Sequence, residues 1–191
     1  MRKSKIETAA TRKRIVEAAS TEFRRNGVDG TGLADLMAAA GLTHGGFYKH
    51  FESKEQVVEE ALVIATESMV DSMRRTVLAS PGDRGVHAAI ADYLAINNRD
   101  DAAGGCPFVS LGSEVARGGD AVREAATTGF LKLVNLFARQ LEGMSPAAAK
   151  KKAILMVSTM IGAMTMARIV TDPDLSASIL RQAYTHLTRS S

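Results

Sequence analysis

The sequence predicts an all-α protein in which a long helix joins a small N-terminal helical domain to a larger C-terminal helical domain. Apolar residues recur every three or four positions along almost the whole chain, which is the period of an amphipathic helix. Glycine, proline and capping residues interrupt this period at helix-length intervals, and no stretch alternates as a half-buried strand does. With 191 residues and 46% hydrophobic content, the chain can bury a real core.

The first two helices are defined by their glycine ends. Gly27 ends a helix whose apolar residues lie at helical spacing, namely Ile15, Ala18, Ala19 and Phe23. Thr31 is expected to cap the second helix. Gly41 is expected to end that helix in a left-handed conformation, since it follows the apolar run Leu33, Leu36, Met37 and Ala40.

A third, short helix is predicted directly after this turn, with Thr43 as its cap. Phe47 and Phe51 lie one turn apart and would anchor it in the core. The remaining faces would present four polar side chains to a partner: His44, Tyr48, Lys49 and His50. Two short helices joined by a glycine-led turn predict a helix-turn-helix, and hence a DNA-binding domain.

Three residues around this helix oppose folding and therefore indicate a binding role. Gly45 and Gly46 each cost roughly 0.8–1.0 kcal/mol relative to alanine inside a helix. Close approach to a DNA groove or phosphate would offset that cost, and a simple turn is the alternative. The next helix begins with a capping box, in which Ser53 is the cap and Gln56 its partner. Lys54 then opposes the helix dipole, which is favourable if a phosphate lies beside it.

Two stretches of this region are R-K-R-I-V-E-A-A-S-T-E-F-R-R-N-G-V-D-G-T and L-A-D-L-M-A-A-A-G-L-T-H-G-G-F-Y-K-H-F-E-S-K-E. Together they closely resemble the N-terminal DNA-binding domain of the TetR family of bacterial regulators, over about residues 12 to 60. The resemblance implies phosphate contacts by Thr31, Thr43, Tyr48, His50 and Lys54. It implies groove contacts by His44, Gly45, Gly46 and Lys49.

The positive charge is confined to the same region. Residues 1–55 hold ten basic and seven acidic residues, whereas residues 56–191 hold fourteen of each, so the net charge of +3 belongs to the first part. The first 25 residues hold eight basic and three acidic residues. Such an arm would add salt-dependent affinity for a polyanion, or it is a solvated terminus. Its cations are Arg2, Lys3, Lys5, Arg12, Lys13, Arg14, Arg24 and Arg25.

The rest of the chain predicts six helices. The first is long and runs from Ser53 to just before Ser80-Pro81-Gly82. The next three are expected at about 84–98, 107–116 and 122–141, with a loop over 97–105. The last two would begin at Ser145-Pro146 and after Asp172, and the final one ends near Thr188. We therefore predict a DNA-binding domain over 1–55 and a ligand-binding and dimerisation domain over 56–191.

The penultimate helix is apolar nearly all round and so must be buried on more than one side. Its apolar and small residues are Ile154, Val157, Ile161, Gly162, Ala163, Met164 and Ile169. The resemblance implies a four-helix bundle with the last two helices of a second subunit, in which Gly162 and Ala163 allow close approach. A purely intramolecular core is the alternative. The preceding lysines at 150–152 are expected to form a solvated helix start.

The resemblance implies that the C-terminal domain binds a small effector, and its composition favours an apolar one. Methionine thioethers repack around ligands of different shape. The candidates for lining such a pocket are Met69, Met73, Tyr93, Phe108, Phe130, Phe137 and Met160, each of which is otherwise a core residue. Candidates for orienting the effector are Asn135, Thr159 and Thr165.

Cys106 is the single cysteine, which excludes an internal disulfide and fits a reducing compartment. It follows two glycines at a predicted helix start, where the helix dipole can lower a thiol pKa. Two hypotheses stay open, a thiol that senses electrophiles and a small buried apolar residue.

Other classes of protein are disfavoured. The sequence has no G-x-S-x-G, H-E-x-x-H or P-loop motif, and two of its four histidines lie in the helix-turn-helix, so no enzyme, metal site or cofactor is expected. No apolar run is expected to reach the roughly 20 residues of a membrane span, and the basic start lacks the apolar segment of a signal peptide. A cytoplasmic protein is therefore expected.

Together these features predict a homodimeric repressor that binds a palindromic double-stranded DNA operator and leaves it when a small molecule enters the C-terminal domain. A ligand-independent architectural DNA-binding protein is the alternative. Two glycines in the groove-facing set leave few side chains for base recognition. Indirect readout or the basic arm would then supply specificity.

Overall fold

The computed structural model describes residues 5–80 and 82–189, and every regular element in these ranges is a helix. The elements are α1 (Lys5–Asn26), α2 (Leu33–Ala39), a 3₁₀ helix (His44–Lys49), α3 (Lys54–Leu78), α4 (Asp83–Tyr93), α5 (Ile96–Asp100), α6 (Pro107–Arg117), α7 (Asp120–Ala138), α8 (Pro146–Ile169) and α9 (Pro173–Arg189). The predicted all-α fold is confirmed, with α3 as the long helix that joins the two parts.

The helix ends follow the signals in the sequence. Gly27 and Gly41 have φ angles of 79° and 68°, a left-handed conformation that glycine adopts without a steric cost. The hydroxyl of Ser53 accepts a hydrogen bond from the backbone N–H of Gln56 at 3.1 Å. The side chain of Gln56 reaches back to the N–H of Glu52, one residue before the cap, so the capping box is present in a slightly extended form.

Two local predictions were wrong, and a third was correct only in position. The cap of α2 is Gly32 and not Thr31, whose hydroxyl donates instead to the carbonyl of Gly27 at 2.7 Å. Thr43 lies at the cap of the next short helix as predicted, but this element is a 3₁₀ helix of six residues and the Thr43 side chain makes no capping hydrogen bond. The loop predicted over 97–105 contains α5, because Asn98 donates to the carbonyl of Tyr93 at 2.6 Å and closes the chain into a further turn.

Two hydrophobic clusters form the core. The N-terminal cluster is built on Phe23, Phe47 and Phe51, and it continues along α3 through Leu62. It also takes in three residues from beyond α3, namely Leu111, Val115 and Val122 of α6 and α7. The C-terminal cluster extends from Val70 of α3 to the end of α9. The helix α3 therefore contributes to both clusters, which ties the two parts of the chain together.

The helix α8 is more apolar than expected. Its 24 residues include an 18-residue window with a mean hydropathy of 1.3, so by length and composition it is long enough to cross a membrane. The expectation that no run reaches this length was therefore wrong for α8. The same test is passed by core helices of soluble proteins, and α8 contributes Met156, Met160 and Met164 to the C-terminal cluster.

Candidate nucleic-acid interface and effector cleft

The 3₁₀ helix is held from below by two aromatic rings and is open above. Phe47 and Phe51 are 0% and 2% exposed, and their ring centroids lie 5.7 Å apart. Tyr48 is 69% exposed, with its ring edge-on to Phe47 at 5.1 Å. The structure places most of the predicted DNA-binding residues on this exposed element: Thr43, His44, Gly45, Tyr48 and Lys49 are exposed, and Gly46 and His50 are half-buried.

Neither the neighbouring atoms nor the backbone conformation of Gly45 requires a glycine at this position. A Cβ atom at this position would have no heavy atom within 4 Å, and the φ angle is not positive. At Gly46 a Cβ atom would make an ordinary contact with the Met37 side chain at 3.5 Å. The fold of the single chain therefore accepts alanine at both positions.

Two predicted phosphate contacts are engaged inside the protein. Thr31 is 2% exposed, and its hydroxyl donates to a backbone carbonyl of the α1–α2 connection, so this side chain does not face a partner. Lys54 is half-buried and donates to the carbonyl of Val28 at 2.6 Å. The Thr31 side chain is therefore a buried structural group and not the exposed phosphate contact that was predicted. The ammonium of Lys54 has further N–H groups to offer, so its contact with DNA stays a prediction.

The basic arm is in large part structural. Arg12 pairs with Glu60 through two hydrogen bonds and lies over the ring of Phe51, with its guanidinium carbon 4.1 Å from the centroid. Arg14 donates to the carbonyl of Ala40 at 2.6 Å, which satisfies the end of α2. The other described arginines and lysines of the arm also have partners, except for the exposed Lys5: Lys13 with Glu17, Arg24 with Ser20, and Arg25 with Glu22. Arg2 and Lys3 lie outside the described residues.

A cleft of about 280 Å³ opens between α3, α4 and the segment before α6. Three of the predicted ligand-binding residues line this α3–α4 cleft: Met69, Met73 and Tyr93. The other four do not line it. Phe137 and Met160 are 1% and 2% exposed in the C-terminal cluster, and Phe108 and Phe130 pack on that cluster as an edge-to-face pair. Phe137 and Met160 are therefore core residues, and the half-buried Phe108 and Phe130 pack against the same core.

The remaining lining of the cleft is mainly polar, whereas the sequence predicted an apolar pocket with a few orienting polar groups. It consists of Arg24, Ser68, Ser72, Arg75, Thr76, Ala89, Asp92, Asn98, Gly104, Gly105 and Cys106. A signal for it exists in the sequence, since Ser68, Ser72 and Thr76 recur every four residues beside Met69 and Met73. The proposed orienting residues lie elsewhere: Asn135 lines a separate groove, and the hydroxyl of Thr165 donates to the carbonyl of Ile161.

The electrostatics of the cleft are dominated by burial. Cys106 is 2% exposed, and this burial raises the pKa of its thiol, although Tyr93 and the backbone N–H groups of Val109 and Phe108 act in the opposite direction. Burial also raises the pKa of Tyr93 well above its ordinary value. The Tyr93 hydroxyl lies beside the thiol, but it has no hydrogen-bond partner of good geometry among the described residues. The predicted activation of the thiol by the helix dipole is therefore outweighed.

Comparison with known proteins places these features in a family. Residues 15–61 match the bacterial regulatory proteins of the tetR family, and residues 83–181 match the C-terminal domain of LmrA/YxaF-like transcriptional regulators. The chain belongs to the TetR family. It is a DNA-binding transcriptional regulator, in a family of regulators and not of enzymes. Members of the TetR family bind DNA operators as dimers and carry a ligand-binding C-terminal domain.

Curated TetR relatives match in the N-terminal part. The chain is 42% identical over 62 residues to the HTH-type transcriptional regulator TtgR of Pseudomonas putida. This aligned segment covers 32% of this chain and 30% of that protein. It is 39% identical over 59 residues to the probable acrEF/envCD operon repressor of Escherichia coli. This segment covers 31% of this chain and 27% of that protein. In both cases the match spans less than a third of the relative's length.

Solved structures match along almost the whole chain. A TetR transcriptional regulator from Chloroflexus aurantiacus has a TM-score of 0.77 and 29% identity, covering 96% of this chain and 95% of that one. The reduced form of NemR from E. coli has a TM-score of 0.80 and 21% identity, covering 94% and 96%. The fold of the C-terminal domain is thus a TetR fold even where the curated sequences no longer align.

Proposed function

We propose that this TetR protein is a homodimeric repressor that binds a palindromic operator through its 3₁₀ helix and leaves it when a small molecule enters the α3–α4 cleft. The observation that carries the proposal is the exposed 3₁₀ helix on its buried Phe47 and Phe51. His44, Tyr48 and Lys49 on this element offer hydrogen-bond donors to bases and phosphates. The curated relatives that are called repressors align over this region, which supports repression as the sign of regulation.

The homodimer is supported by an apolar face on α8 that the single chain leaves uncovered. Leu155, Met166 and Ile169 are 61%, 48% and 63% exposed, and Gly162 lies between them with nothing within 4 Å of a Cβ atom. Glycine costs about 1 kcal/mol within a helix relative to alanine, so its place in the middle of an exposed apolar face favours close packing of a partner helix. On α9, Leu175 is 49% exposed and would extend the same face.

The effector proposed for the α3–α4 cleft combines an apolar body with a polar group. Met69 and Met73 supply adaptable apolar contacts on one wall. Tyr93 lines the opposite side, and its buried hydroxyl lies beside the Cys106 thiol without a hydrogen bond of good geometry; a buried hydroxyl without an acceptor costs roughly 1–3 kcal/mol. An acceptor on the effector would remove that cost. The cleft volume of about 280 Å³ suits a small molecule rather than a peptide.

The experiment that tests this function begins with selection of genomic fragments from the organism by the full-length protein. The enriched palindrome is then titrated with the wild type, with Lys49→Ala and with Lys151→Ala, an exposed lysine of α8 as control. We expect Lys49→Ala to lose about 1–3 kcal/mol of binding energy and Lys151→Ala to bind as the wild type. Equal affinity of all three proteins would contradict the assignment of the 3₁₀ helix.

The ligand response is tested on the same palindrome with a small-molecule extract of the same cells. Release that is lost in Ser72→Leu, which fills the cleft from an exposed position of its wall, supports reversible binding there. Release that persists in Ser72→Leu but is lost in Cys106→Ser supports the electrophile sensor instead. Binding that no extract fraction changes supports a ligand-independent architectural protein. A cytoplasmic location follows from any of these functions.

A further inference from the structure

The segment 98–106 is held between two arginines that belong to different parts of the protein. Arg24 comes from α1 of the DNA-binding part, and its guanidinium donates to the carbonyls of Gly104 and Gly105 at 3.3 and 3.2 Å. Arg168 comes from the end of α8 and donates to the carbonyls of Asn98 and Asp101 at 2.9 and 3.1 Å. One backbone segment therefore accepts hydrogen bonds from both parts at once.

Arg24 is committed to this contact by its surroundings. Its Nε atom donates to the carbonyl of Ser20 at 2.7 Å, which fixes the side chain along α1. The guanidinium is half-buried, and this burial lowers its pKa, while Asp101 and Cys106 raise it. Its neighbour Arg25 has the same charge on the same helix turn but pairs only with Glu22 on the surface, at 2.9 Å. The two arginines thus form a natural pair of test and control positions.

The segment held by Arg24 is also the rim of the α3–α4 cleft. Asn98, Gly104, Gly105 and Cys106 line the cleft together with Arg24 itself. Gly105 is packed tightly against α8, since a Cβ atom there would lie 2.5 Å from both Arg168 Nη2 and the Asp101 carbonyl oxygen. A molecule that pushes on the rim from the cleft therefore displaces the carbonyls that Arg24 binds.

We propose that Arg24 is the positioning residue that transmits the state of the cleft rim to the DNA-binding domain. The inference rests on the proposed function, because it explains how an occupied cleft changes DNA binding. In the empty protein Arg24 fixes the end of α1 to Gly104 and Gly105. When the rim moves, these hydrogen bonds lengthen, and α1 changes its position relative to α6 together with the 3₁₀ helix that packs in the same cluster.

The test is a double-mutant cycle in the full-length protein that needs no effector. Gly105→Ala imitates a displaced rim, and it is made in the wild type, in Arg24→Gln and in Arg25→Gln. The readouts are affinity for the selected palindrome and the preference among palindromes whose half-sites are one base pair closer or farther apart. The second readout reports the position of the 3₁₀ helices, which a general loss of stability would not move.

We expect Gly105→Ala to change operator affinity about fivefold or more in the wild type and in Arg25→Gln, and to shift the preferred spacing in both. In Arg24→Gln the same substitution should change affinity less than about twofold and leave the spacing preference unchanged. Equal effects in all three backgrounds, or no effect in a folded wild-type background, would overturn the inference. Failure of the wild type to select any DNA would instead defeat the proposed function, and the inference with it.

Gly104→Ala is the second variant if Gly105→Ala does not fold by circular dichroism. The three atoms nearest to a Cβ atom at Gly104 all belong to the side-chain carboxyl of Asp101, which can rotate away, although it accepts from the Gly104 N–H at 2.7 Å. This variant disturbs the rim more gently, and the same pattern across the three backgrounds is expected with smaller amplitudes. A uniform response in the three backgrounds would again overturn the inference.

Discussion

The ammonium nitrogen of Lys54 lies 2.6 Å from the carbonyl oxygen of Val28 and 6.0 Å from the ring centroid of Phe23. A cation in the first turn of α3 opposes the helix dipole, which by itself suggests a phosphate ligand. The contact with Val28 gives a second reason for this lysine, because it adds a short hydrogen bond to a loop carbonyl that otherwise accepts from the Thr31 N–H at 3.3 Å. The unfavourable dipole term is therefore offset inside the free protein.

Lys54→Ala should consequently cost stability, contrary to what the sequence alone suggests. A hydrogen bond to a charged group contributes roughly 1.5–3 kcal/mol, and relief of the dipole returns a few tenths, so we expect a net loss of about 1 kcal/mol at this half-buried site. Denaturant unfolding measures it. If Lys54 also contacts a phosphate, the slope of operator affinity against salt falls by about one unit. An unchanged salt slope together with reduced stability would show that Lys54 is a purely structural residue. Lys151→Ala is the control for both measurements.

Tyr48→Phe should weaken DNA binding without affecting the fold. The ring stays on Phe47, and the hydroxyl makes no hydrogen bond with the described residues, so only contact with a partner is removed. A charge-assisted hydrogen bond to a phosphate is worth roughly 1.5–3 kcal/mol. Operator titration and thermal melting check the two halves of this expectation. A large drop in melting temperature would show that Tyr48 is part of the core after all.

Gly45→Ala should lower operator affinity while leaving the stability of the fold unchanged or higher. Because nothing lies within 4 Å of the added methyl group, stability should stay constant or rise by up to about 1 kcal/mol. Operator affinity should fall, since the methyl group occupies the space where a DNA backbone would approach. Gly112→Ala on α6 is the control, with the same open surroundings but no place at the interface. Equal operator affinity of the two variants would mean that Gly45 belongs to an ordinary turn.

Cys106 should react slowly with iodoacetamide near neutral pH. Burial raises its pKa in the folded protein, so the thiolate is scarcer than in a free cysteine. The folded state keeps the proton that the unfolded state releases above about pH 8.5. The stabilisation linked to this proton is therefore complete below that pH and declines as the pH rises above it. The rate of alkylation in buffer, compared with the rate in urea, checks the reactivity of the folded thiol. The pH dependence of the free energy of unfolding, compared with that of Cys106→Ala, checks the linked stability. Fast alkylation of the folded protein would revive the electrophile sensor.

The helices were predictable because their signals are local. Gly27, Gly41 and Ser53 mark ends that depend on a few neighbouring residues, and the anchors Phe47 and Phe51 follow from spacing along one helix. The roles of Arg12, Arg24 and Lys54 were not predictable in this way. Each is paired with a group far along the chain, and charge alone cannot distinguish such a residue from one that waits for a phosphate.

The predicted ligand-binding residues likewise show that the spacing of apolar residues does not identify which of them line a cavity. Met73 and Met160 have similar spacing patterns in the sequence, yet one lines the cleft and the other fills the core. Which of them faces a cavity depends on how α3, α4 and α8 cross, and that is a property of the whole domain. The polar stripe of Ser68, Ser72 and Thr76 was the more informative pattern, because its four-residue spacing runs beside Met69 and Met73 and marks the mixed polar and apolar wall of the cleft.

Leu111, Val115 and Val122 complete the cluster around Phe23 and Phe47, although they belong to helices that follow the cleft. An engineer who transplants the first sixty residues onto another sensor would leave three holes under the DNA-reading surface. Chimeric regulators built from this protein therefore need matching residues on the recipient's equivalents of α6 and α7. A chimera that carries those three side chains should unfold in a single thermal transition. In a chimera without them, the DNA-binding domain should unfold at a lower temperature than the rest.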